Sequence, residues 1–294
     1  MTTSYAPAVG SEGLRDALSL LEERFPERTV EVSDGIVSYR SCGRGPVVVL
    51  LHGIGSGAAS WLHCALRLEK DVQVIAWNAP GYGRSSPLAA ATPSAADYAL
   101  RLDQFLRALG INDCVLVGHS LGAIMASAYV ATGTDLVSRL CLLSPAQGYG
   151  SLQKQALGQQ IAQERLTNLK TLGVQGMADR SGRMLSAQAN DDARAWVRWN
   201  MQQLDPAGYS QAVRMLCSDD IHRYPPKDIP ASVYCGSADT ITPPDDCRTF
   251  AGQLNLPFKL IDSAGHACYV EQPDIVANAI REASLPTLSN HSHE

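Results

Sequence analysis

The chain has 294 residues, 45% of them hydrophobic, which is enough for one large α/β domain or two small ones. A formal net charge of −5, with basic residues scattered along the chain, excludes an electrostatic drive toward nucleic acid or an anionic membrane and points to small molecules as partners. No stretch approaches the ~20 apolar residues of a bilayer span, and Met1–Gly10 lacks the charged start and apolar run of a secretory signal, so a cytoplasmic protein is expected.

Leu14, Leu18, Leu21 and Phe25 recur at helical spacing between Ser11 and Phe25, and Pro26 follows as a stop, which predicts an amphipathic helix. Arg28–Val32 and Ile36–Arg40, joined by Ser33-Asp34-Gly35, read as a hairpin. Val47–Leu51 is continuously apolar, as expected of a strand covered on both faces, and runs into the glycine-rich loop His52-Gly53-Ile54-Gly55-Ser56-Gly57. A dinucleotide fingerprint is the first rival there. It is set aside because the glycines are spaced G-x-G-x-G and no acidic residue ends the next strand, Val72–Trp77.

A proline and glycine loop, Asn78–Ser85, precedes a helix predicted over Pro93–Leu109. Next come the apolar run from Cys114 to Val117, the pentapeptide Gly118-His119-Ser120-Leu121-Gly122 and a run of small residues from Ala123 to Ala128. Read physically, these are a buried strand, a tight turn with a glycine two residues either side of a serine, and a helix. After a further strand at Leu140–Leu143 the strand pattern stops. Residues 148–226, with breaks at Gly173, Gly182, Pro206 and Gly208, are read as several short helices inserted before the sheet resumes at Ala231–Cys235 and Phe258–Ile261. A last helix is expected over Ile275–Ala283. The alternation predicts an α/β fold with a mostly parallel sheet flanked by helices, the core formed by residues 1–147 and 227–294 and a helical cap by 148–226.

A serine hydroxyl needs a base, and the base needs a group that orients it and stabilises the cation it becomes. Asp239 follows the Ala231–Cys235 strand in Gly236-Ser237-Ala238-Asp239, and His266 follows the Phe258–Ile261 strand in Ser263-Ala264-Gly265-His266. In a parallel sheet the C-terminal strand ends share one edge, so Ser120, Asp239 and His266 are expected to meet there. Asp262 lies too close to His266 in sequence to replace Asp239.

Through the His-Gly loop, the Gly-x-Ser-x-Gly turn, the Gly-x-x-Asp loop and the late Gly-His, the chain resembles the α/β-hydrolases from about Ile36 to Ala283. The resemblance implies that Ser120 is nucleophile, His266 general base and then acid, and Asp239 its orienter. It also implies an oxyanion hole formed by the backbone N–H groups of Ile54 and Leu121. His52 then holds its loop, and Asn78, where many relatives carry Asp, is architectural.

Two serine branches fit. Met177-Ala178-Asp179-Arg180, Pro206-Ala207-Gly208-Tyr209 and the late Ala264-Gly265-His266 resemble bacterial 3-oxoadipate enol-lactonases and related carboxylesterases, which implies a small carboxylic ester or lactone as substrate. The Leu51–Ala58 loop with Trp61 is similar instead to hydrolases that cleave carbon-carbon bonds in ring-fission products of aromatic degradation, although Ser56 and Ala267 stand where these commonly carry Pro and Trp. A catalytically silent ligand-binding protein is the alternative outside enzymology. His119, Ser56, Trp199 and Tyr209 are candidate substrate contacts, and Arg180 or Arg183 could hold a substrate carboxylate in bidentate fashion. No metal or cofactor is expected, and a homodimer stays open. The eight cysteines, without any C-x-x-C and with Cys114, Cys141 and Cys235 in or beside apolar runs, are expected as reduced thiols. The tail His291–Glu294 is read as a frayed terminus rather than a metal site.

Overall fold

The apolar run Val47–Leu51 becomes a strand with four of its five residues sealed from solvent, because β-branched side chains suit an extended backbone that is covered on both faces. It is β3 of an eight-stranded sheet in a computed structural model that describes residues 12–284. Ser11 and the His291–Glu294 tail lie outside the described residues. The other strands are β1 (Glu27–Val32), β2 (Gly35–Cys42), β4 (Gln73–Trp77), β5 (Cys114–His119), β6 (Val137–Leu143), β7 (Ala231–Gly236) and β8 (Phe258–Ile261). Their order is β1-β2-β4-β3-β5-β6-β7-β8, with β1, β2 and β4 pairing antiparallel and β4 through β8 all parallel.

The chain leaves β3 toward β4 on one side and reaches β5 on the other, so the loops after β3 and β5 diverge and open a crevice at the carboxyl ends of those strands. Register places the sites along that edge. Leu51 lies opposite Gly118, His119 opposite Leu143, Leu143 opposite Tyr234, and Gly236 opposite Ile261. The residues that follow each strand therefore emerge side by side.

The helices are α1 (Glu12–Arg24), α2 (Leu62–Leu68), α3 (Ala95–Ala108), α4 (Leu121–Val130), α5 (Gln155–Ala178), α6 (Asp191–Gln202), α7 (Pro206–Ser218), α8 (Pro244–Gln253), α9 (Cys268–Glu271) and α10 (Pro273–Ser284). Helix α3 starts two residues later than expected, where Ser94 and Asp97 close a capping box. Every residue of α4 is buried, which its small side chains allow. Helices α2 and α8 escape a reading by periodicity, because α2 has only seven residues and α8 opens on the polar run Pro244-Asp245-Asp246.

Between β6 and β7 the expectation of several short helices needs correction, since the first of them, α5, runs for 24 residues. Gly173 does break its dihedrals (φ 63°, ψ 179°), yet the helix resumes on the far side. These helices are bonded to the segment between β4 and α3. Gln211 donates to the carbonyls of Leu88 and Ala90, both at 2.8 Å, and the Asp219 carboxylate accepts the Ala95 N–H at 2.7 Å. Where α7 meets the Asn78–Ser85 loop, Gly81 and Gly208 touch so closely that a Cβ on Gly208 would stand 1.9 Å from the Gly81 carbonyl oxygen. All eight cysteines are free, and all but Cys42 are buried. Among the described residues no helix is long and apolar enough to cross a membrane.

Candidate active site

Ser120 sits between β5 and α4 with φ 53° and ψ −116°, a conformation that a non-glycine residue adopts only under strain of about 1–3 kcal/mol. Its neighbours enforce it. A Cβ on Gly118 would stand 2.6 Å from the Gly122 carbonyl oxygen, and one on Gly122 would stand 2.6 Å from that of Leu51 and 2.8 Å from that of His52. Glycine at both places lets β5 turn straight into α4 over the end of β3. The strained residue is tied on both sides, donating from its N–H to Leu143 O (3.0 Å) and accepting from Ala123 N (3.0 Å) and Ala146 N (3.2 Å).

Gly122→Ala is therefore expected to destabilise the protein by about 2–4 kcal/mol, although Ala is the better helix former by ~1 kcal/mol. The control is Gly252→Ala in α8, where an added Cβ meets nothing within 4 Å and no drop in stability is expected. Denaturant unfolding of the two variants measures the difference, and equal midpoints would refute this account of the turn.

Asp239 and His266 are brought together as expected. Asp239 Oδ1 accepts the backbone N–H groups of Ile241 (2.8 Å) and Thr242 (2.9 Å), while Oδ2 accepts from the Thr242 hydroxyl (2.8 Å) and from His266 Nδ1 (2.9 Å). Burial opposes ionisation of this carboxyl, but the hydrogen bond and charge of His266 and the two N–H donors outweigh it and hold it well below the usual carboxylate range. With its proton on Nδ1, His266 keeps the Nε2 lone pair for the cavity that it and Ser120 both line. Among the described residues neither Ser120 Oγ nor His266 Nε2 has a hydrogen-bond partner within the protein, so both stay available to a ligand.

Thr242 was not singled out from sequence, although the Asp-x-x-Thr spacing after a strand is a legible signal. Its hydroxyl reaches Asp239 Oδ2, lies 3.2 Å from His266 Nδ1, and lies 3.2 Å from the Ser144 carbonyl oxygen. We expect Thr242→Val to lower kcat/KM about 10-fold, with little change in Tm, and Thr242→Ser to restore it. An unaltered rate in the valine variant would show that the hydroxyl does not steady the pair.

The other histidines and Asn78 have evident positions. His52 donates from Nδ1 to Gly53 O (2.8 Å) and accepts the Ala79 N–H at Nε2 (3.0 Å), and burial pushes it down to about 4, so it stays neutral and ties two loops together. Asn78 accepts from Ala58 N (2.8 Å) and donates to Ser38 Oγ (2.9 Å) and Glu27 (3.1 Å), an architectural knot. His119 is wholly buried and pushed down to about 3 by burial and by the neighbouring His266. Its Nε2 lies 2.9 Å from the His266 carbonyl oxygen, so it faces the backbone of the pair as well as the cavity.

The cavity, of about 880 Å³, is walled on the sheet side by Gly53, Ile54, Ser120 and His266 and on the other by residues of the insertion. Tyr209, Arg180 and Arg183 reach it, both arginines being exposed. Ser56 and Trp199 do not. Ser56 turns back to donate to Gly53 O (3.2 Å), and Trp199 stacks on Trp196 with ring centroids 5.1 Å apart. Leu121 is the first residue of α4, so its N–H has no intrahelical acceptor. The Ile54 N–H likewise takes no partner among the described residues. Arg165 and Lys154 also line the cavity and were missed. The signal was the recurrence of Ile161, Arg165, Asn168 and Leu172 along one face of α5.

The model of the alpha/beta hydrolase fold family matches residues 46–273. The chain belongs to that family. A relative of this hydrolase, the RutD protein of Enterobacter cloacae subsp. cloacae, whose name assigns it provisionally to carbamate hydrolysis, is 28% identical over 271 residues, covering 85% of this chain and 94% of that protein. Among solved structures, a thermophilic esterase from Thermogutta terrifontis superposes with a TM-score of 0.76 at 22% identity, covering 87% of this hydrolase and 97% of that chain. The enol-lactonase from Burkholderia xenovorans LB400 gives 0.76 at 20% identity, covering 87% and 98%. These two likenesses are of fold.

Proposed function

We propose that this hydrolase opens a small carboxylic ester or lactone through an acyl-enzyme, with Ser120 as nucleophile, His266 as base and then acid, and Asp239 as its orienter. The carrying observation is the buried 2.9 Å Asp239–His266 hydrogen bond beside the cavity that the strained Ser120 lines. In this reading His266 Nε2 takes the serine proton as Oγ attacks the carbonyl, and Asp239 stabilises the imidazolium. The N–H groups of Ile54 and Leu121, held without acceptors, receive the developing oxyanion. His266 returns its proton to the leaving oxygen, and water repeats the sequence in reverse to free the acid. Neither a metal nor a cofactor takes part in these steps. Carbamates fall within the same acyl chemistry, and the likeness to RutD supports including them.

The carbon-carbon reading draws on the Leu51–Ala58 loop with Trp61, and Ala267, standing where those hydrolases commonly carry Trp, favours the ester or lactone. Initial rates on short aryl esters, an enol-lactone and a dienone ring-fission product, with Ser120→Ala as blank, test the choice. A preference for the dienone would overturn it. A fluorophosphonate that failed to modify Ser120 would favour the silent ligand-binding alternative.

A further inference from the structure

Although the chain as a whole carries a formal charge of −5, the cavity gathers Lys154, Arg165, Arg180 and Arg183 against only Glu164 and Asp246. None of these cations has a carboxylate partner among the described residues; the nearby Asp179 is taken by Arg198 at 2.6 Å. Arg165 differs from Arg180 and Arg183 in being half-buried. A partly desolvated guanidinium without a counter-anion is unfavourable in the empty protein, and its electrostatic interactions are strengthened by the lower local dielectric.

Its place is defined by contacts. Nη1 of Arg165 lies 3.5 Å from the hydroxyl of buried Tyr209. The Gly81–Gly208 backbone contact sets Tyr209 beside Tyr82, whose hydroxyl donates to the Ile54 carbonyl oxygen at 3.0 Å. The Arg165 charge is close enough to act on the Tyr82 phenol, which burial otherwise pushes far up. Arg165 thus shares the cavity wall with Ile54 and is linked toward the Ile54 loop through Tyr209 and Tyr82.

From this we infer that Arg165, supported by the Tyr209 hydroxyl, is an anion subsite that selects substrates with a carboxylate on the acyl part, a few bonds from the scissile carbonyl. The planar guanidinium offers the paired donors that a carboxylate accepts, while the exposed Arg180 and Arg183 contribute only through-solvent attraction at the mouth. The inference rests on the serine-hydrolase reading for its chemistry but not for its binding.

The test compares the 4-nitrophenyl monoesters of glutaric acid and of valeric acid, whose acyl chains have the same number of carbons and differ in the terminal carboxylate. The wild-type enzyme should favour the glutarate ester in kcat/KM by about 10-fold or more. In Arg165→Met that ratio should collapse by roughly 10-fold, to near parity, with Arg165→Lys intermediate and Arg180→Gln and Arg183→Gln affecting it less. Calorimetry with free glutarate on Ser120→Ala and on the Ser120→Ala, Arg165→Met double variant reads the subsite without turnover. Loss of glutarate binding in the double variant supports it even if Ser120→Ala were to keep hydrolysing both esters, a result that would defeat the serine mechanism alone. An unchanged ester ratio in Arg165→Met, or glutarate binding indifferent to Arg165, would overturn the subsite.

Discussion

If Ser120 is the nucleophile proposed above, Ser120→Ala is expected to lower kcat on a short aryl ester by roughly 10⁵- to 10⁶-fold while leaving the fold intact, as nucleophile removal does in serine hydrolases. The fold should survive because the side-chain oxygen holds no hydrogen bond within the described protein, whereas the backbone bonds to Leu143, Ala123 and Ala146 that fix the turn do not depend on it. The rate should collapse because the thiol beside the pair is a poor substitute. The thiol nearest the pair, Cys235, is buried and driven up by the adjacent Cys247 and by burial. A residual rate over water, about 10³- to 10⁴-fold, would remain if Ile54 and Leu121 still polarise a bound carbonyl. Stopped-flow release of 4-nitrophenolate should show a burst in the wild type and none in the variant. Undiminished steady-state turnover would refute the assignment of Ser120.

Asp239→Asn should cost about 10⁴-fold in kcat, and the hydrogen bonds around the carboxylate explain why so small a change is severe. Oδ1 accepts two backbone N–H groups, so the oxygen of an asparagine amide is confined to that side. Its NH₂ must then face His266 Nδ1, which can meet it only as an acceptor. The imidazole proton is driven to Nε2, and the lone pair that would take the serine proton is lost.

The same variant has a pH signature. The native carboxyl of Asp239 is held below its ordinary value of about 4, so its contribution to stability is present above that value and is lost as pH falls toward the lowered native one. Below about pH 4 the wild type should lose stability faster than Asp239→Asn, which has no carboxylate to protonate. Parallel Tm profiles for the two proteins between pH 2 and 7 would contradict that origin of acid sensitivity.

Much of the molecule could be read before its structure. The run Val47–Leu51 was legible as a doubly covered strand because parallel strands of this kind lack a solvent face, and the two-residue glycine spacing around Ser120 was legible because only glycine fits at Gly118 and Gly122. The expectation that Asp239 and His266 meet followed from strand polarity alone, and the 2.9 Å bond agrees with it. Short or polar-fronted helices such as α2 and α8 were not legible, because a seven-residue helix spans too few turns to show a period and Pro244-Asp245-Asp246 resembles loop chemistry.

What the chain determines by itself are local matters: which runs must be buried, where the backbone must turn, and which side chains stand at strand ends. Only the tertiary structure decided which residues face the cavity. Ser56 and Trp199 turn to other partners, and Arg165 enters from α5 while Arg180 and Arg183 stay exposed. Strand register is set by hydrogen bonds that repeat along the sheet, whereas the packing of an inserted helix depends on non-local contacts, such as Gly81 against Gly208, that leave little periodic trace in sequence.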